Sequence, residues 1–283
     1  MEQYLTTHEI HITWLLFVSA FTVIGLAETF RPRKAVTVST ARRWLTNALL
    51  SAGNIAVEVL YPLGGTAVAL MVAKSPYGLL NRSAIPFALR CAVGVVVLDL
   101  VRYGVHYLFH RSALLWRVHR VHHSDRDFDL TTGVRNHPVE VAIVQLFELA
   151  AVALIAPPAA AVVILGIITA AQNLLSHANL QLPELWDQIA RPLLITPDMH
   201  RVHHSERFAE QNANFGILFS FWDRLFGTYR ASPADGHEGM RLGLEELRDS
   251  RTENALYLLA LPFRPLPAQE PVRAPAEPQR HSA

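Results

Sequence analysis

The chain has 283 residues, 51% of them hydrophobic and 17% charged, with a mean hydropathy of +0.21 and a formal net charge of +1. A soluble domain carries about 25% charged residues, so the deficit points to a bilayer as solvent. So small a net charge, without a dense basic stripe, argues against nucleic acid as a partner. The single cysteine, Cys91, excludes an internal disulfide and a thiolate cluster, and reads as a small buried hydrophobe.

The residues before the first apolar run lack a basic segment, and no small-residue cleavage site follows it, so that run is expected to stay as an anchor. Five apolar stretches approach the ~20 residues that a crossing needs: 12–30, 45–72, 85–109, 139–155 and 159–175. Pro157-Pro158 cannot continue a helix and marks a hairpin between the last two. Both are a little short, which leaves a re-entrant hairpin open. Basic residues lie between the first two spans (Arg31, Arg33, Lys34, Arg42, Arg43), between the third and fourth (Arg111, Arg117, Arg120, Arg126, Arg135) and after the fifth (Arg191, Arg201, Arg207, Arg224, Arg230). The other connections hold only Lys74 and Arg82. The positive-inside rule then places the N-terminus outside and the three basic segments in the cytoplasm. After Tyr229 the chain turns polar; the apolar patch 255–263 is too short to span and is expected to pack on the core or lie at the interface. From Pro265 onward, Pro, Ala and Glu predict disorder. The expected organisation is membrane spans in 1–84, a histidine-bearing core in 85–230, a cytoplasmic segment in 231–264 and a disordered tail in 265–283. The expected fold is all-α, a polytopic membrane bundle with a helical cap at its cytoplasmic face.

Ten of the 14 histidines fall between His106 and His204. His106 and His110 end the third span, and His119, His122 and His123 follow as His-x-x-His-His. The same box returns at His200, His203 and His204, while His137 and His177 stand between. Positions three and four apart share a helix face, so each box can present its imidazoles together. Converging neutral imidazoles suit a divalent transition metal. One zinc takes about four ligands, so eight boxed histidines, with His177 a ninth, argue for two ions. The topology brings all these groups to one membrane face, where a lipid can reach them from the bilayer.

The boxes, together with Leu115-Trp-Arg-Val-His119, Thr196-Pro-Asp-Met-His200, Asn214-Phe-Gly216 and Trp222-Asp-Arg-Leu-Phe-Gly-Thr-Tyr229, resemble the bacterial branch of the fatty acid hydroxylase and sterol desaturase superfamily. The resemblance covers roughly residues 99–229. It implies a membrane-bound di-iron oxygenase that uses O2 to hydroxylate or desaturate a lipid C–H bond. His106, His110, His119, His122, His123, His200, His203 and His204 are the implied ligands of two iron ions, and His177 completes the set; zinc competes well for such sites on purification. In related 2-hydroxylases a histidine often stands four residues before the equivalent of His177. Here that position is Asn173, so the ligand is lost or replaced by an amide holding water. His137 either substitutes for it or supports a ligand, although Pro138 after it also reads as a helix start.

No haem-attachment motif or nucleotide-binding glycine fingerprint is visible, so electrons are expected from an external donor, a reductase with a cytochrome or ferredoxin. Asp99 and Arg102, three apart within a span, read as a structural pair or as a carboxylate orienting a ligand histidine. Glu58 reads as bonded to Asn54 or a neighbouring helix, and Trp222, Asp223 and Tyr229 as packing. Two other classes compete. A transmembrane haem protein places its histidines within facing spans, and a metal transporter or metal-binding membrane protein places ligands near the midplane. A zinc hydrolase is disfavoured because His-Glu-x-x-His is absent.

Overall fold

The computed structural model describes residues 1–61, 63–81 and 84–265; Arg82 and the tail from residue 266 lie outside the described residues. Among the described residues the regular elements are helical, and isolated bridges form no strand. The long helices are α1 (Glu2–Phe30), α2 (Thr40–Leu60), α3 (Gly65–Val72), α4 (Phe87–Arg111), α5 (Ala113–His123), α6 (Pro138–Ile155) and α7 (Ala159–Ser176). Shorter ones follow: α8 (Glu184–Ala190), α9 (Pro197–His203), α10 (Phe208–Gln211), α11 (Phe221–Leu225), α12 (Gly236–Gly239) and α13 (Ala255–Ala260).

Four stretches are long and apolar enough to cross a membrane: Glu2–Phe30, Thr40–Val72, Pro138–Ile155 and Ala159–Ser176. In α1 only Ile24 and Glu28 are buried, so most of its surface is left for lipid. The stretch expected as one span over 45–72 divides into α2 and α3. The sequence there is Tyr61-Pro-Leu-Gly-Gly65: proline lacks the donor that a continuing helix needs, and the two glycines weaken it further. The expected hairpin is present. His137 caps α6 with its side chain, Pro138 takes the first helical position, and Ala156 ends the helix in the left-handed region (φ 50°) ahead of Pro157.

The third expected span differs from the other four. α4 has 25 residues but carries Arg90, Asp99 and Arg102, and it is not among the apolar crossing stretches. It packs against α5, α6 and α7, and the last two take up the charge of Arg102. Arg102 does not pair with Asp99. Its Nη2 donates to both carboxylate oxygens of Glu148 on α6, at 2.9 and 3.1 Å, and its Nη1 donates to Thr169 on α7. Gly94 permits the close approach of the hairpin: a Cβ there would lie 2.9 Å from Pro157 and 3.0 Å from Ala161. α4 therefore runs from the hairpin end to the histidine end of the bundle.

A buried ionic web fastens the loop after α5 to the start of α2. Arg43 donates to Asp125 from Nε and Nη2 (2.8 and 2.9 Å) and to Asp129 from Nη1 (2.8 Å). Arg135 donates to Val121 O, Asn47, Ser124 and Thr252 O. Burial pushes the Asp125 carboxyl up, but the Arg43 and Arg135 guanidiniums outweigh it and hold it well below the usual carboxylate range. Beyond Tyr229 the chain returns to this layer: Leu258 and Leu261 pack with Leu50, Val121, Leu244 and Leu247, so the apolar patch 255–263 covers the core.

Candidate metal centre

Nine histidines converge where α4, α5, α7 and α9 meet, and they fall into two sets. His106, His110, His119, His123 and His203 form one; His122, His177, His200 and His204 form the other. Within each set, one nitrogen per ring lies within 4.8 Å of all the others, and every ring except the half-buried His110 is buried. The helical repeat explains the division. Each His-x-x-His-His box contains a pair four apart on one face and a third ring about 100° round from its neighbour. In α5 the pair His119 and His123 serves the first set and His122 the second. In α9 the roles exchange: His200 and His204 serve the second set and His203 the first.

Four rings are held in one tautomer by acceptors outside the cluster. His106 Nδ1–H donates to Phe215 O (2.8 Å), His203 Nδ1–H to Ala213 O (2.7 Å), His177 Nδ1–H to Asn173 O (2.8 Å) and His119 Nδ1–H to the Glu140 carboxylate (2.7 Å). Each then turns an Nε2 lone pair inward, which is how outer partners orient metal-binding histidines. Those lone pairs meet other nitrogens. His177 Nε2 lies 3.2 Å from His122 Nε2 and 3.0 Å from His200 Nε2, and His119 Nε2 lies 3.2 Å from His123 Nε2. One lone pair cannot accept well from two neighbours, and buried nitrogens of His106, His110, His122, His123, His200, His203 and His204 have no protein partner. Two imidazole nitrogens about 2.1 Å from a shared ion and at right angles are about 3.0 Å apart. The donor set therefore fits a metal ion in each group.

The electrostatics agree. Burial, reinforced by neighbouring rings, pushes His122, His123, His200 and His204 well below the ordinary histidine range, His177 to about 4 and His203 to about 3. In these six rings burial favours the neutral form, the one that coordinates a cation.

The carbonyls that hold His106 and His203 come from one loop, 213–223; of the residues fixing it, Trp222 and Asp223 read from the sequence as packing, Asn214 as part of a resemblance, and Asp99 as a structural pair or a carboxylate orienting a histidine. Asn214 takes a left-handed conformation (φ 56°). Its side-chain amide donates to Met199 O and Arg230 O, and its Oδ1 accepts from Arg230 N–H. Asp223 accepts from Phe215 and Gly216 N–H at 2.7 and 2.9 Å. Asp99 accepts from Leu218 and Phe219 N–H and from the Trp222 indole, so it acts on His106 through this loop rather than directly. Glu140 lies in the first turn of α6, two residues after Pro138, and nothing near it in the sequence marks it as the partner of His119.

His137 joins neither set. Its Nδ1 accepts from Val139 N–H as the cap of α6, and its Nε2 donates to Leu259 O. Asn173 faces Gly133, donating to its carbonyl at 2.6 Å, and lends its own carbonyl to His177. A cavity of about 1000 Å³ runs from His106, His119, His122, His177 and His200 into the space between α1, α2, α4, α6 and α7.

Residues 91–228 match the family model described as fatty acid hydroxylase. The chain is 29% identical over 246 residues to the ornithine lipid hydroxylase OlsE of Rhizobium tropici, which covers 80% of this chain and 70% of that protein. It is 28% identical to human alkylglycerol monooxygenase over 47% of this chain and 29% of that enzyme. It is also 28% identical to the very-long-chain aldehyde decarbonylase GL1-4 of Oryza sativa subsp. indica, over 55% of this chain and 27% of that enzyme. The chain thus spans less than a third of the length of the latter two. No solved structure matches the chain.

Proposed function

We propose that this chain, whose residues 91–228 match the fatty acid hydroxylase family model, is a membrane lipid oxygenase that hydroxylates a lipid C–H bond at a pair of irons held by its nine clustered histidines. The observation that carries this reading is the opening of both histidine sets onto a cavity between apolar spans. Hydroxylation is favoured over desaturation because the relatives include a lipid hydroxylase and a monooxygenase. The balanced reaction takes a lipid C–H, O2, two electrons and two protons to a lipid alcohol and water. The bound irons supply dioxygen activation. The chain supplies the rest: Glu140, Asn173 and the 213–223 loop hold the rings in register, the spans exclude water, and the cavity aligns the lipid against the histidine layer.

The electrons come from a separate donor, a reductase working through a cytochrome or ferredoxin. The basic segments around the histidine layer support a centre at the cytoplasmic face of a bacterial inner membrane. The test is metal analysis of detergent-purified protein grown with supplemented iron. About two non-haem irons per chain are expected, falling together in His122→Ala and His203→Ala. A haem spectrum, or one zinc untouched by both substitutions, would overturn the proposal. Lipid analysis of cells expressing the active chain should then show a hydroxylated membrane lipid that the His203→Ala cells lack.

A further inference from the structure

The cavity leading from the histidines has one wall unlike the rest. Its lining residues on α4, α5, α6, α7 and α9 are buried or half-buried, with Val105 and Phe109 only 4% and 1% exposed. Among the described residues, every exposed one that lines it lies on α1 or α2: Ile10 and Trp14 on the first, and Trp44, Ala48, Ala52 and Ile55 among those on the second. α1 lies along α7 rather than along α2, so the space between α1 and α2 is left open. The opening is framed at both ends. Near the histidines the Phe21 and Trp44 rings meet, with centroids 6.2 Å apart at 70°. At the other end Glu9 accepts from the Thr66 hydroxyl on α3 at 2.9 Å. From Glu9 to Phe21 the window runs about 18 Å along α1, against the ~15 Å that one leaflet contributes to a ~30 Å hydrocarbon core. Its α1 edge is a row of rings, Trp14, Phe17 and Phe21, with successive centroids 5.9 and 6.3 Å apart. Its α2 edge carries the small side chains of Ala48, Ser51 and Ala52, which leave it wide.

We propose that a hydrocarbon chain of a membrane lipid enters the cavity sideways through this window, with Trp44 as the fixed post and Phe21 as the movable leaf of the edge nearest the histidines. This rests on the oxygenase reading and adds to it the side from which substrate arrives. Both helices belong to stretches that cross the membrane, so the window faces hydrocarbon and not water. A chain in the adjoining leaflet lies along the same direction as the window and can slip in without turning. Trp44 is held in place, because its indole N–H donates to Asp129 at 3.0 Å and Arg43 binds the same carboxylate oxygen. Phe21 has no polar group with which to be tethered, so widening of this edge falls to its ring.

The test uses the full metal-loaded chain in phosphatidylcholine vesicles containing hexadecanol with a photoreactive diazirine at mid-chain. Light should attach the probe to Val105 and Phe109, which bulk lipid cannot touch, as well as to Leu146 and Leu154 on the exposed face of α6. The window is then blocked after folding: Ala48→Cys, made with Cys91→Ala, is treated with a bulky methanethiosulfonate that a reductant removes. Metal content equal to that of the unaltered chain shows that this variant is folded. Blocking should lower the label at Val105 and Phe109 at least about fivefold, with recovery on reduction and no change at Leu146 and Leu154. The same reagent on Leu146→Cys, in the same background, should leave the label at Val105 and Phe109 intact. Phe21→Ala should raise their initial labelling rate about twofold or more. No label at Val105 and Phe109 in the unaltered chain, a label that survives the block, or an equal loss from Leu146→Cys overturns the proposal; an unchanged rate in Phe21→Ala removes the movable leaf. Labelling needs neither electrons nor O2. A chain labelled in this pattern that turns over no lipid therefore sinks the oxygenase reading alone, and turnover undiminished by the block sinks the window alone.

Discussion

Glu140 is the most informative place to perturb the centre, because its effect on the metals passes through one hydrogen bond. Its carboxylate accepts from His119 Nδ1 at 2.7 Å, with both side chains almost fully buried at 5% and 7% exposure. A buried hydrogen bond with one charged partner contributes about 1.5–3 kcal/mol. Removing a carboxylate that orients a metal-bound histidine costs about 10–100-fold in metal affinity, or about 1.4–2.8 kcal/mol, so the two estimates agree. Glu140→Ala should therefore weaken metal binding at the first histidine set toward the upper end of that range, since His119 loses its acceptor and its fixed tautomer. Glu140→Gln keeps an acceptor oxygen and loses only the charge, so its loss should fall near the lower end. The assay is chelator competition followed by metal quantification on detergent-purified protein, with thermal unfolding run in parallel. Glu140→Ala protein that held both metals as tightly as the unaltered chain would refute the role of this carboxylate and remove His119 from the ligand set.

Arg43→Ala strands Asp125 and Asp129 in a buried web and should cost about 3–5 kcal/mol, seen as a large drop in Tm, with Arg43→Lys falling between. Gly133→Ala would place a Cβ 2.9 Å from Asn173 O and 3.1 Å from His177 Nδ1, the two atoms of one hydrogen bond. Metal content should then fall from about two ions toward one, with the four-histidine set the weaker. Because the buried rings are held below the ordinary histidine range, the unfolded chain binds more protons than the folded one below about pH 6.5. Chelator-stripped protein should hold its full stability above that pH and lose it progressively toward about pH 3; a Tm unchanged between pH 7 and 5 would contradict this.

Much of the arrangement was legible because periodicity and ligand chemistry leave marks at fixed spacing. The hairpin at Pro157-Pro158, the start of α6 at Pro138 and the gathering of histidines on α4, α5 and α9 each follow from a few adjacent residues. What stayed hidden depends on distant parts of the chain. Nothing near Asp99 indicates that its carboxylate will clamp Leu218, Phe219 and Trp222, more than a hundred residues later. Arg102 shows the same limit: Asp99 is the obvious local partner, yet Glu148 and Thr169 take the guanidinium because α6 and α7 close around α4. The break after Tyr61 was readable from Pro-Leu-Gly-Gly, but apolar length masked it. The division of the histidines into sets needed the actual rotation of α5 and α9, which spacing limits without fixing.

That division has a consequence for how the centre assembles. α5 gives two rings to one set and one to the other, and α9 gives the reverse, so neither helix belongs to a single ion. An ion entering one set fixes rings on both helices, and those helices carry the remaining ligands of the other set. The second ion then meets a site whose ordering cost has already been met in part, which favours paired loading over single occupancy. Support from outside follows the same logic. Phe215 and Ala213 steady rings of the first set from the loop that Asp99 and Asp223 hold, while Asn173 steadies His177 in the second. The spans need only bring these elements to one level and leave the cavity open. Four of the nine rings, His106, His119, His177 and His203, are held by polar contacts outside the cluster, from buried carbonyls and a carboxylate with few competing partners.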